Sequence, residues 1–85
     1  MSPDRPFYGL SNFPEGTEVR ITARAVLEEF SRTWRLHNKL EPEQLEYAGL
    51  VARVKEIRMY HGGDILYMLE NIPGIWHQNL LEAVQ

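Results

Sequence analysis

The last third of the chain constrains the fold most, because it consists of short apolar runs separated by glycine-containing turns. A run from Leu50 to Tyr60 ends at a turn with two adjacent glycines, and a second apolar run, Ile65 to Leu69, follows directly. The turn 70–74, which contains Pro-Gly, then leads into Ile75 to His77. Runs of this length and spacing are typical of strands joined by hairpins. The sequence therefore predicts an antiparallel meander from residue 50 onward.

The apolar alternation in the run from Leu50 to Tyr60 shifts by one residue. Leu50, Ala52 and Val54 fall on one face, whereas Ile57 and Met59 are out of phase with them. Because successive strand side chains point to opposite faces, this shift predicts a β-bulge near Lys55-Glu56. A bulge bends and twists its strand, as the closure of a small barrel requires.

The N-terminal part of the chain divides into an arm and a first strand. Residues 1–16 contain three of the five prolines and show no sustained apolar period, which predicts an irregular arm. The segment Glu18 to Thr22 alternates apolar and polar residues, as a half-buried strand does. We therefore predict one folded domain over residues 17–85.

The pattern between the first two strands is helical. Val26, Phe30 and Trp34 recur every four residues, and Leu27 lies beside them. One interpretation is an amphipathic helix of two or three turns, and the other is a long irregular loop anchored by the same aromatic residues. A short helical turn is also predicted at 41–45, since proline is tolerated at a first helical position.

The end of the chain completes the predicted architecture. Residues 78–81 predict a single helical turn, and residues 82–84 predict a closing strand. Trp76 has two interpretations, a side chain that closes one end of the core or a contact surface. The predicted fold class is mainly β: a small five-stranded SH3-like barrel with a short helical insertion between its first two strands.

Composition excludes several function classes. The chain has 85 residues, so it forms one domain with a thin core. The absence of cysteine excludes disulfides, thiolate metal sites and a cysteine nucleophile. A net charge of -3 argues against a protein whose main role is to bind the phosphate backbone of nucleic acid.

No apolar run approaches the length of about 20 residues that spans a membrane, and no signal peptide is apparent. The expected location is the cytoplasm.

No constellation of residues predicts catalysis, a metal site or a bound cofactor. The few serines and threonines do not lie in a strand-to-helix elbow, and neighbouring glutamates are typical of a solvated face. His37, His61 and His77 are spaced too widely to match a compact metal motif, with Asp64 or Glu70 as a conceivable carboxylate partner. We therefore predict that the chain is not an enzyme and holds neither metal nor cofactor.

The segment that joins the first two strands interleaves basic and aromatic residues. In an SH3-like barrel this connection borders an exposed groove, where such side chains receive an acidic protein, a nucleotide or a single strand. The competing interpretation is that Trp34 fills the core and the cations only aid solubility. Tyr47, Tyr60 and Tyr67 are expected to extend this surface as an apolar-polar patch. The candidate partner-binding residues are Arg32, Trp34, Arg35, His37, Lys39, Tyr60 and Tyr67.

Four segments resemble the SH3-like electron-transport-accessory group of proteins. They are Glu15 to Ile21, Ala48 to Val54, Ile65 to Leu69, and Trp76 followed by Leu80 to Val84. The group includes the peripheral stromal subunit of photosystem I, the variable chain of ferredoxin-thioredoxin reductase and the C-terminal barrel of the nitrile hydratase β-subunit. The last of these is closest around Trp76. The resemblance implies a partner module that contributes no catalytic residue.

These observations together predict a non-catalytic protein–protein interaction module or accessory subunit. Its partner is another protein, and a second copy of the chain is one candidate. Two alternatives stay open: a small barrel that binds nucleic acid, and an accessory component of a nitrile-hydratase-like metalloenzyme.

Overall fold

The computed structural model describes residues 13–60 and 63–84 and is built around one five-stranded sheet. All strand pairs are antiparallel, in the order β4-β3-β2-β1-β5. The elements in chain order are β1 (Glu18–Ile21), α1 (Arg24–Thr33), a first 3₁₀ helix (Pro42–Tyr47), β2 (Val51–Met59), β3 (Ile65–Leu69), β4 (Ile72–His77), a second 3₁₀ helix (Gln78–Leu80) and β5 (Leu81–Ala83). The mainly-β class with five strands is confirmed, and closure into an SH3-like barrel remains a prediction.

The bulge predicted in the second strand is present. In β2, Val54 pairs with Leu69 of β3 but Glu56 pairs with Met68, so the register shifts between Val54 and Glu56 and Lys55 is the extra residue. The out-of-phase apolar residues Ile57 and Met59 therefore return to the side of the sheet that Val54 faces, where they pack against the core.

The hairpin between β3 and β4 is tighter than the sequence suggested. Leu69 pairs with Ile72, so the turn is only Glu70-Asn71, and Pro73 and Gly74 lie inside β4. The prediction of a five-residue turn at 70–74 is therefore wrong. Proline is tolerated here because β4 is an edge strand, where a missing N–H costs little pairing. A register shift between the two strands accompanies the left-handed Gly74 (φ +99°).

The insertion between β1 and β2 is helical, so the irregular-loop alternative is wrong for residues 24–33. In α1, Leu27 and Phe30 are buried against the sheet, whereas Val26, which the pattern placed on the same face, is 45% exposed. Trp34 lies just beyond the helix in an extended conformation. The first 3₁₀ helix is also confirmed, with Pro42 at its start and a reciprocal cap between Glu41 and Gln44.

The core lies on one face of the sheet and includes the end of the N-terminal arm. Trp76 is fully buried, which confirms its core interpretation. Phe13 is buried too, with its ring centroid 5.7 Å from that of Tyr67. The rest of the predicted arm, residues 1–12, lies outside the described part of the chain. Within the described residues no helix has the length and apolar character of a transmembrane segment. The fully buried side chains are Val19, Ile21, Leu27, Val54, Tyr67, Trp76 and Leu80.

Candidate functional site: a paired-histidine cluster beside a cleft

The segment that follows α1 folds back on itself and positions the site. The indole N–H of Trp34 donates a hydrogen bond to the backbone oxygen of His37 at 2.6 Å. Asn38 then takes a left-handed backbone conformation (φ 53°), which asparagine adopts more readily than most residues. This reversal brings both the backbone oxygen and the side chain of Asn38 against two histidine rings.

The two histidines meet at Asn38. His77, the last residue of β4, places Nε2 at 2.9 Å from the backbone oxygen of Asn38. His37 places Nδ1 at 2.8 Å from the side-chain oxygen of the same residue and Nε2 at 2.7 Å from Oδ2 of Asp64. The ring centroids are 5.5 Å apart. Asn38 thus joins the two histidines, and His37 joins Asp64 to them.

The acceptors assign the protons on both rings. A backbone carbonyl oxygen can only accept, so His77 donates from Nε2, and its Nδ1 is an acceptor when the ring is neutral. Both nitrogens of His37 face oxygen acceptors, Asn38 Oδ1 and the Asp64 carboxylate, so the doubly protonated ring satisfies both bonds. The cluster therefore favours a charged His37 beside a neutral His77.

The electrostatics agree with this assignment. The pKa of His37 lies above its ordinary value of 6.5, chiefly because of the hydrogen bond to the Asn38 side chain and also because of the Asp64 carboxylate, with partial desolvation opposing the shift. The pKa of His77 lies below 6.5, mainly because burial disfavours its charged form and also because His37 is close. The bond to the Asn38 carbonyl and the Asp64 charge only partly offset that lowering.

Aromatic side chains enclose both histidines. Tyr60, at the end of β2, stacks on His37 with ring centroids 3.5 Å apart and planes 10° from parallel. Phe30 and Trp34 lie 4.8 and 4.9 Å from the His77 ring, and they stack on each other at 5.1 Å. This packing holds the rings in place, because each contacts at least two neighbours across elements.

A cleft of about 420 Å³ opens beside the cluster, and we call it the Trp34 cleft. It lies where the segment after α1, the end of the β2–β3 hairpin and the second 3₁₀ helix come together. Its volume is within the range of about 300 to 1,000 Å³ that ligand-binding clefts occupy. The lining residues are Trp34, Gly63, Asp64, Ile65, His77, Gln78, Asn79 and Leu81.

A second hollow, of about 520 Å³, uses the other end of the same segment. Leu36 and Lys39 line it, together with residues of the first 3₁₀ helix and of β4. The Leu36 side chain is 64% exposed, the largest exposure among the large hydrophobic residues of the described chain. The segment 34–41 therefore contributes to two neighbouring hollows on the surface.

The structure brings three of the seven predicted site residues together. Trp34, His37 and Tyr60 form one aromatic group, with ring centroids 5.6 Å apart for Trp34 and His37 and 3.5 Å for His37 and Tyr60. Lys39 lies in the second hollow. Arg35 is exposed and makes no ion pair with the described residues.

Tyr67 and Arg32 do not join this group either. Tyr67 is fully buried, and its hydroxyl donates to the side chain of Gln78. The expectation that Tyr67 extends an exposed surface is therefore wrong, because its strand position faces the core. Arg32 remains at the surface but pairs with Glu29 on the same helix.

Several basic residues of the described chain pair with acidic neighbours. Within the described chain, four arginines face carboxylates: Arg24 with Glu28 and Glu46, Arg32 with Glu29, Arg53 with Glu18, and Arg58 with Glu56. Surface pairs of this kind contribute little to stability, but they reduce the local positive potential. Of the predicted site cations Arg32, Arg35 and Lys39, only Arg32 makes such a pair with the described residues.

Sequence reasoning did not predict how the site is organised. It groups His37, His77 and Asp64 only as conceivable metal ligands, and it gives Asn38 no role. The sequence does contain an indication that Asp64 is accessible, because a carboxylate that follows two glycines is expected at the exposed end of a hairpin. Nothing in the local pattern indicates that Asn38 bridges two histidines, because that contact spans 39 positions.

The described residues contain no group of three or more metal-ligating side chains placed to hold a metal ion. The third histidine, His61, lies outside the described part of the chain. Comparison with models of known protein families, with curated proteins and with solved structures found no match. The resemblance to the electron-transport-accessory group therefore remains a prediction.

Proposed function

We propose that the chain is a non-catalytic protein-interaction module or accessory subunit that binds another polypeptide through the face around residues 34–41. The observation that carries this proposal is the Trp34 cleft, which three separate parts of the chain line and which lies beside a hydrogen-bonded cluster of histidine and aromatic side chains. A preformed hollow with a few fixed polar groups is typical of a binding surface.

Within the described lining the cleft offers one unpartnered imidazole nitrogen, Nδ1 of His77, but no hydroxyl or amine nucleophile beside it, which supports binding more than catalysis. Both ring nitrogens of His37 are engaged, by Asn38 and by Asp64, so His37 is not available as a general base. None of the residues described around the cleft is a serine, threonine or lysine that could act as a nucleophile.

The surface beside the cleft also has the composition of an interface. Leu36 is largely exposed, and Tyr60 is 41% exposed while one face of its ring stacks on His37. Interfaces are enriched in tyrosine and other aromatic residues that are held rigidly by their neighbours. No observation favours the nucleic-acid alternative, given the paired arginines.

Site-specific photo-crosslinking in the source cells tests this proposal. A photoreactive amino acid at position 36 should give a crosslinked species, whereas the same amino acid at Val51, an exposed aliphatic residue on β2, should not. Mass spectrometry of the crosslinked species then separates a second copy of the chain from another protein. No crosslink from position 36, or equal crosslinking from both positions, would contradict the proposal.

A further inference from the structure

We infer that the Trp34 cleft binds the guanidinium group of an arginine side chain from the partner polypeptide. This inference rests on the proposed function and names the chemistry of the group that the cleft recognises. Three features of the lining carry it: the hydrogen-bond acceptors, the aromatic ring and the charge.

The acceptors come from Asp64 and His77. Asp64 uses Oδ2 to accept from His37, and Oδ1 has no hydrogen-bond partner among the described residues. The carboxylate side chain is 44% exposed, so it can receive a second donor. His77 lines the cleft but is only 4% exposed; it donates from Nε2, and its Nδ1 has no partner in the described chain. A cleft with two such acceptors suits a ligand that only donates.

The guanidinium group matches these acceptors better than other side chains. It presents five N–H donors in a fixed plane and has no acceptor, so it can bond a carboxylate and a ring nitrogen together. An ammonium group is a compact, strongly hydrated point charge and lacks the planar fork. Arginine is therefore preferred over lysine in this cleft.

The indole ring of Trp34 adds a second type of contact. Phe30 stacks on Trp34 with planes 15° from parallel, which fixes the ring while it lines the cleft. A guanidinium group packs favourably against the face of a tryptophan ring, through cation–π attraction and stacking. A cation is thus favoured by an aromatic surface as well as by the carboxylate.

The charge around the cleft is complementary to arginine. Among the lining residues that the structure describes, Asp64 is the only acid and there is no lysine or arginine. The charge of His37, 2.7 Å from Oδ2 of Asp64, offsets part of this negative charge, and Oδ1 is the oxygen left for a second donor. The net charge of the whole chain is -3, which attracts a basic partner at long range.

A peptide titration followed by ¹⁵N NMR on the full chain tests the inference. The probes are Ac-Ala-Ala-Arg-Ala-Ala-NH₂ and two matched peptides with lysine or citrulline at the centre; citrulline retains the shape of arginine without its charge. The indole N–H signal of Trp34 should shift on addition of the arginine peptide. The buried Trp76 signal serves as an internal control. The lysine peptide should bind several-fold more weakly than the arginine peptide, and the shifts caused by the citrulline peptide should not reach saturation.

A charge-neutralising variant and a matched control sharpen the test. Asp64→Asn keeps the side-chain shape and should weaken arginine binding about tenfold, because it removes a directly paired charge. Glu43→Gln removes a charge from an exposed position of the first 3₁₀ helix and should leave binding unchanged. Equal binding of the arginine and citrulline peptides, or equal loss in both variants, would overturn the inference.

The outcome also separates this inference from the proposed function. Crosslinking from position 36 together with an absence of arginine binding would overturn the arginine assignment and leave the interaction module standing. Arginine binding that Asp64→Asn abolishes, without any crosslink in cells, would support the assignment and contradict the proposed function.

Discussion

At the residue scale, the site depends on one asparagine. Asn38 accepts a hydrogen bond from His77 with its backbone oxygen and another from His37 with its side chain. The left-handed backbone of Asn38 presents both oxygens to the rings at once. The two contacts can be separated experimentally, because glycine tolerates the same backbone conformation and keeps the carbonyl.

Asn38→Gly should lower the pKa of His37 towards 6.5, because it removes the side-chain oxygen that contributes most to the raised value. The pKa of His77 should change less, since its bond to the backbone oxygen is retained. A ¹H NMR titration of the imidazole signals measures both. An unchanged pKa of His37 would mean that Asn38 does not hold the ring.

The histidine pair also predicts the shape of the stability curve against pH. The pKa of His37 in the folded state lies above 6.5. Its stabilisation of the folded state is therefore fully present below pH 6.5 and is lost as the pH rises through that folded-state pKa. The folded pKa of His77 lies below 6.5, so the folded state loses stability as the pH falls below 6.5 towards that value. The pair therefore places a stability maximum near pH 6.5.

Thermal unfolding of the wild type, His37→Gln and His77→Gln between pH 5 and 8.5 checks this prediction. In His37→Gln the melting temperature should fall less steeply above pH 6.5 than in the wild type. In His77→Gln it should fall less steeply below pH 6.5. Both effects concern the slope and hold even if the substitution changes the absolute stability. Parallel curves for all three proteins would contradict the assigned protonation states.

At the element scale, the first 3₁₀ helix is fastened to β4 through Gln44. The Gln44 amide donates to the Ile75 backbone oxygen at 3.2 Å, and its oxygen accepts from the Glu41 N–H at 2.7 Å. A methyl group at Gly74 would lie 2.6 Å from Nε2 of Gln44. The absence of a side chain at Gly74 is therefore what lets the two elements approach.

Gly74→Ala should destabilise the fold more than Gly16→Ala does. Both glycines have positive φ, so each alanine costs about 1 kcal/mol of backbone strain. Gly16 faces open space, whereas the new methyl group at Gly74 collides with Gln44, which adds about 1 to 3 kcal/mol. Urea unfolding of the two variants gives the difference in the free energy of unfolding, and equal values would contradict the close contact.

The sequence predicted elements whose signals are local. Strand β3 has the predicted bounds, and the bulge at Lys55 follows from the alternation of its neighbours. The start of β4 was missed because Pro73-Gly74 indicates a turn, and only the position of the strand at the sheet edge makes it compatible with pairing. The contact of His37 with Asp64 and His77 could not be predicted, since it depends on how α1 packs.

At the scale of the whole molecule, the core is so small that each large buried side chain contributes a substantial part of the free energy of unfolding. A domain of this size is typically stable by about 5 to 15 kcal/mol. The predicted domain boundary at residue 17 excludes Phe13, yet this ring is buried with the core and contacts Tyr67. The end of the arm therefore belongs to the folded unit.

Phe13→Ala should lower the free energy of unfolding by about 3 to 5 kcal/mol, because it removes a buried aromatic ring and leaves a cavity. Leu36→Ala is the matched control, since its exposed side chain should change stability by no more than about 0.5 kcal/mol. Equilibrium unfolding in urea measures both, and similar values for the two variants would place Phe13 outside the core.

The most direct test of the site is the set of nuclear Overhauser effects around His77. The segment after α1 packs on the end of β4, with the His77 ring centroid 4.8 Å from that of Phe30 and 4.9 Å from that of Trp34. Strong cross-peaks between the His77 ring protons and those of both aromatic rings are the expected result. Their absence, in a protein whose sheet cross-peaks are intact, would show that the Trp34 cleft is not formed.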